Sequence, residues 1–309
     1  MSESAQHPWT PVRFAENGPV RLAYDRFAGP AAGEPLLLMT GLGVNRLWLP
    51  DGLCHLLTAA GFAVARYDQR DGGESTHLPP VATGNPVTAL FRKRGDAYTA
   101  EDMADDAIAV LDALAWPSAH LLGVSLGGAI AQRVALRHPG RVRTVTTMSA
   151  VPGDVAGLRT LRFIRLGTLA KFTRLKFPAT REGAVAASVA VARLLASPAR
   201  PFDEDAARAT AERTADAGVH DQQAQSRQIG AQWHGGPISV LRHPTLVLHG
   251  ADDPLIKPTA ATAIAARIPN ARKLLLPGVG HELPEPVWPT VVGELRALAD
   301  ADAGRGVRP

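Results

Sequence analysis

Short apolar runs alternate along the first half of the chain with segments whose apolar residues recur every three or four positions. Uninterrupted apolar runs are typical of buried strands, and the longer spacing is typical of helices. The pattern predicts strands at Val12–Phe14, Val20–Phe27, Leu36–Met39, Phe62–Tyr67, Ala119–Val124 and Val142–Met148. It predicts helices at Leu53–Ala60, Thr99–Leu114 and Leu126–His138. Strands and helices that alternate in this way form βαβ units, so we expect an α/β fold with a mostly parallel, twisted sheet.

The alternation stops near residue 150 and resumes near residue 240. From Val151 to Gly236 the chain carries helical patterns and no convincing strand. Two more strands and two more helices are then predicted, at Pro244–His249, Thr259–Arg267, Arg272–Leu276 and Pro286–Asp300. We therefore predict a core of residues 1–150 and 238–309, interrupted by a helical cap at residues 151–237. Because the cap follows a strand, we expect it to cover the carboxyl edge of the sheet.

Four shorter segments complete the predicted organisation. Met1–Pro11 is expected to be a loose arm and Ala301–Pro309 a disordered tail. His77–Gly95 has the proline and glycine content of a loop. Asn17-Gly18, between the first two strands, predicts a hairpin turn because both residues tolerate a positive φ.

Composition narrows the class of protein. The 309 residues are 46% hydrophobic and 20% charged, which is an ordinary globular mixture. Cys54 is the single cysteine, so an intrachain disulfide is impossible and we expect a reducing, cytoplasmic location. The sequence shows no apolar run of signal-peptide or transmembrane length. It also shows no zinc-type cluster, P-loop or dinucleotide glycine motif, so we expect no metal and no cofactor.

The charge distribution has one local feature. Net charge is only +4, so we expect a solvated surface and no nucleic-acid partner. Between residues 158 and 181, however, Arg and Lys alternate with Leu, Ile and Phe. Such a segment either packs its apolar side on the core or rests on a membrane surface, and we favour core packing. We expect no stable membrane insertion, and a monomer or a homodimer.

The candidate nucleophile lies where the fifth predicted strand meets a helix. Gly123-Val124-Ser125-Leu126-Gly127 fits the pattern G-x-S-x-G in the strand–turn–helix context that this motif requires. Glycines on either side allow the strand and the helix to approach closely around a strained serine. The turn places Ser125 at a helix N-terminus, where amide hydrogens and the helix dipole favour negative charge. A plain glycine-rich loop is the alternative interpretation.

A second glycine-rich turn, Thr40-Gly41-Leu42-Gly43, follows the third predicted strand. In an open α/β sheet, this turn reaches the same carboxyl edge as Ser125. A backbone amide of Gly41 or Leu42 could therefore join that of Leu126 in an oxyanion hole. Trp48 follows closely and is a candidate substrate contact, although core packing explains it equally well. The polar turn at residues 68–75 is expected to brace a loop.

Serine needs a base to accept its proton, and that base needs an acid to orient it. In the matching chain order, the acid and then a histidine follow the serine, each after a strand. Asp252 and Asp253 are the candidate acids, and His281 is the candidate base. His249 and His243 fit less well, because both precede the acids along the chain.

These motifs together resemble the α/β-hydrolase superfamily and, within it, small serine esterases similar to aclacinomycin methylesterase. The resemblance covers about residues 12–150 and 240–300, and two positions depart from it. Thr40 stands where many relatives carry His, and Asp71 stands where many carry Gly. The motifs that carry the resemblance are Leu37-Leu38-Met39-Thr40-Gly41, Tyr67-Asp68-Gln69-Arg70-Asp71, Gly123-Val124-Ser125-Leu126-Gly127-Gly128, His249-Gly250-Ala251-Asp252-Asp253-Pro254 and Gly280-His281-Glu282-Leu283-Pro284.

The resemblance implies a fold and an activity. It implies that Asp253, three residues after a glycine, is the acid of a Ser125–His281–Asp253 triad. It further implies hydrolysis of a carboxylic ester of a small, mostly apolar molecule through an acyl-enzyme. Acyl transfer, perhydrolysis without a cofactor and carbon–carbon bond hydrolysis remain open on such a triad, and a ligand receptor without activity is a further alternative. Serine at position 125 argues against dehalogenases and epoxide hydrolases, which need aspartate there.

Overall fold

A computed structural model describes residues 8–29, 32–79, 97–217 and 222–304 of the protein. Within these ranges the uninterrupted apolar runs form strands of a single sheet, as their pattern predicts. The strands are β1 (Arg13–Asn17), β2 (Val20–Arg26), β3 (Glu34–Met39), β4 (Phe62–Tyr67), β5 (Ala119–Val124), β6 (Val142–Met148), β7 (Thr245–Gly250) and β8 (Ala271–Leu276).

The order of strands across the sheet is β1-β2-β4-β3-β5-β6-β7-β8. Strands β1 and β2 pair antiparallel with each other, and β2 pairs antiparallel with β4. All other neighbours are parallel, which confirms the predicted mostly parallel sheet. The hairpin at Asn17-Gly18 is also confirmed, and Gly18 has a φ of 59°. Because β3, β5, β7 and β8 run in one direction, the loops that follow them lie at one edge of the sheet.

Helices cover both faces of this sheet. Alternate residues of β3 belong to different hydrophobic clusters. Leu37 packs with the helices at residues 100–113 and 126–137, whereas Leu36 packs with the helices at residues 51–59 and 288–303. A strand buried on both faces is apolar at every position, which explains its uninterrupted pattern. The helices are α1 (Asp51–Ala59), α2 (Ala100–Ala113), α3 (Leu126–Arg137), α4 (Leu166–Phe172), α5 (Arg181–Leu195), α6 (Glu204–Ala215), α7 (Gln222–Gly230), α8 (Thr259–Arg267) and α9 (Trp288–Ala303).

The segment between β6 and β7 is helical, with α4 to α7 and, in its described residues, no strand of the sheet. One antiparallel bridge, between Ile164 and Ile256, ties it to the loop after β7. The amide of Lys257 donates to the carbonyl of Phe163 at 2.7 Å, and the amide of Arg165 donates to the carbonyl of Leu255 at 2.8 Å. The first part of the insert therefore lies directly beside that loop. Its separate status as a cap remains a prediction.

The ends of the chain differ from the expected loose arm and tail. Trp9 is buried, forms a bridge to Phe27 and packs edge-to-face on that ring at 4.8 Å. Helix α9 continues to Ala303, so the predicted end at Asp300 is wrong. No Gly or Pro stands between Gly293 and Gly304, which explains the longer helix. Residues 1–7, 305–309 and most of the expected 77–95 loop lie outside the described ranges.

One finding concerns membranes. In the described part of the chain, no helix is both long enough and apolar enough to cross a lipid bilayer.

Candidate active site

Ser125 occupies the turn between β5 and α3. Its backbone angles, φ 55° and ψ −116°, are ones that residues other than glycine rarely adopt. Strain of this kind persists only where the surrounding structure enforces it. A Cβ atom on Gly123 would lie 2.2 Å from the carbonyl oxygen of Gly127. A Cβ atom on Gly127 would lie 2.4 Å from the carbonyl oxygen of Met39. Only glycines therefore allow this turn, and they leave Ser125 partly exposed at the carboxyl end of β5.

The loops after β7 and β8 bring a carboxylate and an imidazole together. Nδ1 of His281 lies 2.8 Å from Oδ2 of Asp253. The Asp253 side chain is fully buried, and His281 keeps 7% of its surface exposed. The imidazole is thus held by a carboxylate through one nitrogen, which leaves the other nitrogen for proton transfer.

The Asp253 carboxylate is stabilised in its charged form. Burial alone would raise the pKa of Asp253, but the charge and hydrogen bond of His281 and the amide of Ile256 outweigh burial and hold the pKa below its ordinary value. Oδ1 accepts hydrogen bonds from the amides of Leu255 and Ile256, each at 2.8 Å. The group is therefore suited to orient an imidazole and to stabilise its cation.

Of the other candidates, Asp252 and His243 bond to groups outside this pair, whereas His249 is buried beside it. Asp252 accepts a hydrogen bond at 3.0 Å from the hydroxyl of Ser197. Nε2 of His243 lies 2.9 Å from the carbonyl of Pro139, away from the carboxyl edge. His249 is fully buried, and its Nε2 lies 3.0 Å from the carbonyl of Ile256. The structure thus places Asp253, rather than Asp252, against His281.

Ser125 belongs to the same edge but not to the same hydrogen-bond chain. Its amide donates to the carbonyl of Met148 at the end of β6, at 2.8 Å. Among the described residues, no hydrogen bond joins its hydroxyl to His281. Hydrogen bonds of catalytic groups are often long or misaligned without substrate, so this geometry is compatible with a triad.

The loop after β3 lies against Ser125, as an oxyanion hole requires. A Cβ atom on Gly41 would lie only 3.3 Å from the Cβ of Ser125. In the ranges described above, the amides of Gly41, Leu42 and Leu126 donate no hydrogen bond to another residue. Gln69 anchors the start of this loop, because its Nε2 donates a hydrogen bond to the carbonyl of Thr40 at 2.5 Å. These three amides remain the predicted donors of an oxyanion hole.

Buried charged side chains brace this loop, which is the role that we expected for the polar turn at residues 68–75. Arg46, which follows the loop, donates from its backbone amide and its guanidinium to the Asp68 carboxylate, at 2.6 and 2.5 Å. The same guanidinium donates to Asp25 at 3.0 Å. Sequence reasoning missed Arg46 and its partner Asp25. An available signal was Arg66, a charge inside an otherwise apolar strand, which also binds Asp25 at 2.8 Å.

The departure at Asp71 also has a structural reason. Asp71 has a φ of 63°, a conformation that favours glycine. Its carboxylate receives two hydrogen bonds at 2.8 Å from Arg227 of α7, and both side chains are fully buried. This pair joins the polar turn to the helical insert.

Replacing Asp71 with asparagine leaves the Arg227 cation buried without this countercharge. We expect the variant to lose about 3–5 kcal/mol of unfolding free energy in urea denaturation. The control is Asp112→Asn, because Asp112 pairs with Arg141 on the surface and its side chain is 62% exposed. That control is expected to lose less than about 1 kcal/mol. Equal losses in the two variants would show that burial does not govern the Asp71 pair.

The helical insert contacts both loops that hold the acid and the histidine. The amide of His281 donates to the carbonyl of Leu195, at the end of α5, at 2.8 Å. Nε of Arg165 donates to the carbonyl of Asp253 at 2.9 Å. The insert therefore helps to set the positions of the two side chains.

Two other predictions concern the surroundings of the site. Trp48 is partly buried and packs against the cluster that includes Leu49 and Leu53, so the structure shows its packing role and its contact with substrate remains a prediction. Within the described ranges, no three His, Cys, Asp or Glu side chains are arranged to hold a metal ion.

Comparison with known proteins shows which family has this architecture. A family model described as alpha/beta hydrolase fold matches residues 34–285. The chain is 32% identical to Rhodomycin D methylesterase DnrP of Streptomyces peucetius, over 93% of this chain and 99% of that protein. Rhodomycin D methylesterase DauP of Streptomyces sp. (strain C5) is similar to the same extent. The structure of esterase RhEst1 from Rhodococcus sp. ECU1013 superimposes with a TM-score of 0.69, at 22% identity, over 94% of this chain and 98% of that one.

These similarities confirm the predicted fold and the resemblance to methylesterases. The match covers most of the chain, including the turns that carry Ser125, Asp253 and His281. The chain belongs to the α/β-hydrolase fold family.

Proposed function

We propose that the chain hydrolyses a carboxylic ester of a small, mostly apolar molecule through an acyl-enzyme on Ser125. The observation that carries the proposal is the 2.8 Å contact between His281 and Asp253 at the edge where Ser125 occupies its strained turn. Similarity to two methylesterases over nearly their whole length supports an ester as the bond that is cleaved.

The first half of the reaction forms the acyl-enzyme. Ser125 attacks the ester carbonyl while Nε2 of His281 accepts the hydroxyl proton. Asp253 stabilises the resulting imidazolium through Nδ1. The oxyanion accepts hydrogen bonds from the amide of Leu126 and from that of Gly41 or Leu42. His281 then gives its proton to the leaving alcohol.

The second half regenerates the serine. Water attacks the acyl carbonyl while His281 takes one of its protons, and the same amides stabilise the second oxyanion. The acid product leaves as His281 returns the proton to Ser125. An alcohol or peroxide in place of water would give acyl transfer or perhydrolysis with the same residues.

A screen of esters tests this proposal. We expect p-nitrophenyl esters of graded acyl length and methyl esters of apolar acids to be hydrolysed, with a clear optimum in acyl size, because the predicted cap would limit the length of the acyl pocket. Added methanol or peroxide reports how the acyl group partitions. Exclusive transfer to the added nucleophile would favour an acyltransferase or a perhydrolase. Absence of turnover on every ester would favour a ligand receptor.

A further inference from the structure

His249, near the end of β7, is a titratable side chain that the proposed mechanism does not use. Its side chain has no solvent exposure. Its Nε2 lies 3.0 Å from the carbonyl oxygen of Ile256 and 3.4 Å from Oδ2 of Asp253. It thus faces the same carboxylate oxygen that binds His281.

The chemistry of these contacts fixes the state of the ring. A carbonyl oxygen can only accept a hydrogen bond, so Nε2 of His249 must carry a proton. Burial lowers the pKa of His249 despite the opposing effects of Ile256 and Asp253, which favours the neutral ring at pH 7. In the described part of the chain, Nδ1 has no hydrogen-bond partner. His249 is therefore a neutral donor whose single N–H bonds the carbonyl of Ile256 and lies 3.4 Å from the carboxylate.

The other partners of the carboxylate show what this donor can add. Oδ1 of Asp253 is already held by two backbone amides of its own loop, those of Leu255 and Ile256. In the described ranges, ring nitrogens of His281 and His249 lie 2.8 and 3.4 Å from Oδ2. The charged neighbours do not compete for Oδ2, because Arg165 donates to the backbone carbonyl of Asp253.

Two further charged groups of the same loop also face away from Oδ2. Asp252 is bonded to Ser197. The ammonium of Lys257 donates to the carbonyl of Arg162 at 3.1 Å. Among the described residues, His249 is thus the side chain besides His281 that can hold Oδ2 in place.

We propose that His249 is a positioning residue that holds Oδ2 of Asp253 toward His281 and ties it to the loop carbonyl of Ile256. The proposal rests on the proposed function, because it assigns Asp253 the role of orienting a catalytic imidazole. Without His249, only the bond from His281 would oppose rotation of the carboxylate at Oδ2. The imidazole of His281 changes charge during the reaction, so that bond changes in strength.

Two substitutions separate the hydrogen bond from the volume of the ring. His249→Gln places a side-chain amide nitrogen near the position of Nε2 and keeps a donor, whereas His249→Leu fills the space without one. We expect His249→Leu to lower kcat about tenfold, because it removes the ring N–H that faces Oδ2 of Asp253, with KM changed less than about twofold. We expect His249→Gln to stay within about threefold of the wild type.

The pH profile supplies a readout that packing alone would not move. A carboxylate with one donor fewer stabilises the imidazolium more strongly, so the acidic limb of kcat/KM is expected to move up by about half a pH unit in His249→Leu. His249→Gln is expected to keep the limb of the wild type. Equal losses of kcat in both variants, with no movement of the limb, would show that His249 only packs.

A measurement on the unsubstituted protein covers the case in which His249→Leu does not fold. With 15N-labelled histidine, NMR is expected to show His249 neutral and protonated on Nε2 throughout the acidic limb of the activity profile. A cationic ring, or a proton on Nδ1, would overturn the proposal. This result does not depend on Ser125, so failure of the proposed function would appear separately, as absence of ester turnover.

Discussion

Replacing Ser125 with alanine is expected to lower kcat at least about 10⁴-fold on any ester that the wild type hydrolyses. The proposed mechanism has no acyl-enzyme without the serine oxygen, and the amides of the oxyanion hole alone give only residual catalysis. The measurement is steady-state hydrolysis of the best ester from the screen, with folding checked by thermal unfolding.

Ser149→Ala is the matched control. Ser149 also follows a parallel strand at this edge and also has a positive φ, of 50°, but it is fully buried and lies outside the proposed triad. We expect its kcat to stay within about threefold of the wild type. An active Ser125→Ala variant, or equal losses in both variants, would contradict the assignment of the nucleophile.

Exchanging either of two adjacent carboxylates for an amide is expected to have very different effects. Asp253→Asn removes the charge that stabilises the His281 cation and allows the imidazole to bind through the wrong tautomer, so kcat is expected to fall about 10⁴-fold. Asp252→Asn keeps an acceptor for the Ser197 hydroxyl and leaves the 2.8 Å contact of His281 intact. Its kcat is expected to change less than about tenfold.

The pair of variants is informative because the two residues differ by one position. For both variants, kcat and kcat/KM are measured across pH on the same ester. A larger loss in Asp252→Asn than in Asp253→Asn would show that the loop after β7 rearranges in the working enzyme and that the acid is Asp252.

The fold and the edge that carries the site were predictable from local patterns. Gly123 and Gly127 indicate a close strand–helix approach, and the structure shows why no side chain fits at either position. His281 could be preferred over His249 and His243 because it follows the candidate acids along the chain, as the order of a triad requires. Local patterns did not separate Asp252 from Asp253, because adjacent side chains point in different directions and only the path of the loop decides which one meets His281.

Contacts between distant segments were not predictable. Arg227 lies 156 positions from Asp71 along the chain, and nothing in the local sequence of α7 indicates that this arginine is buried. His249 could be judged only as a rival base, because its shared contact with Asp253 depends on how the loop returns toward β7. A charge pattern indicates that a partner is needed but does not identify the partner, which tertiary packing selects.

The central claim, that Ser125 is a nucleophile activated by His281 and Asp253, is tested most directly by a fluorophosphonate probe and the mass of the intact protein. The account predicts one covalent adduct per chain, mapped to Ser125 by peptide analysis, lost in Ser125→Ala and formed far more slowly in Asp253→Asn. A protein that hydrolyses esters without forming an adduct, or that carries the adduct on another residue, would contradict it.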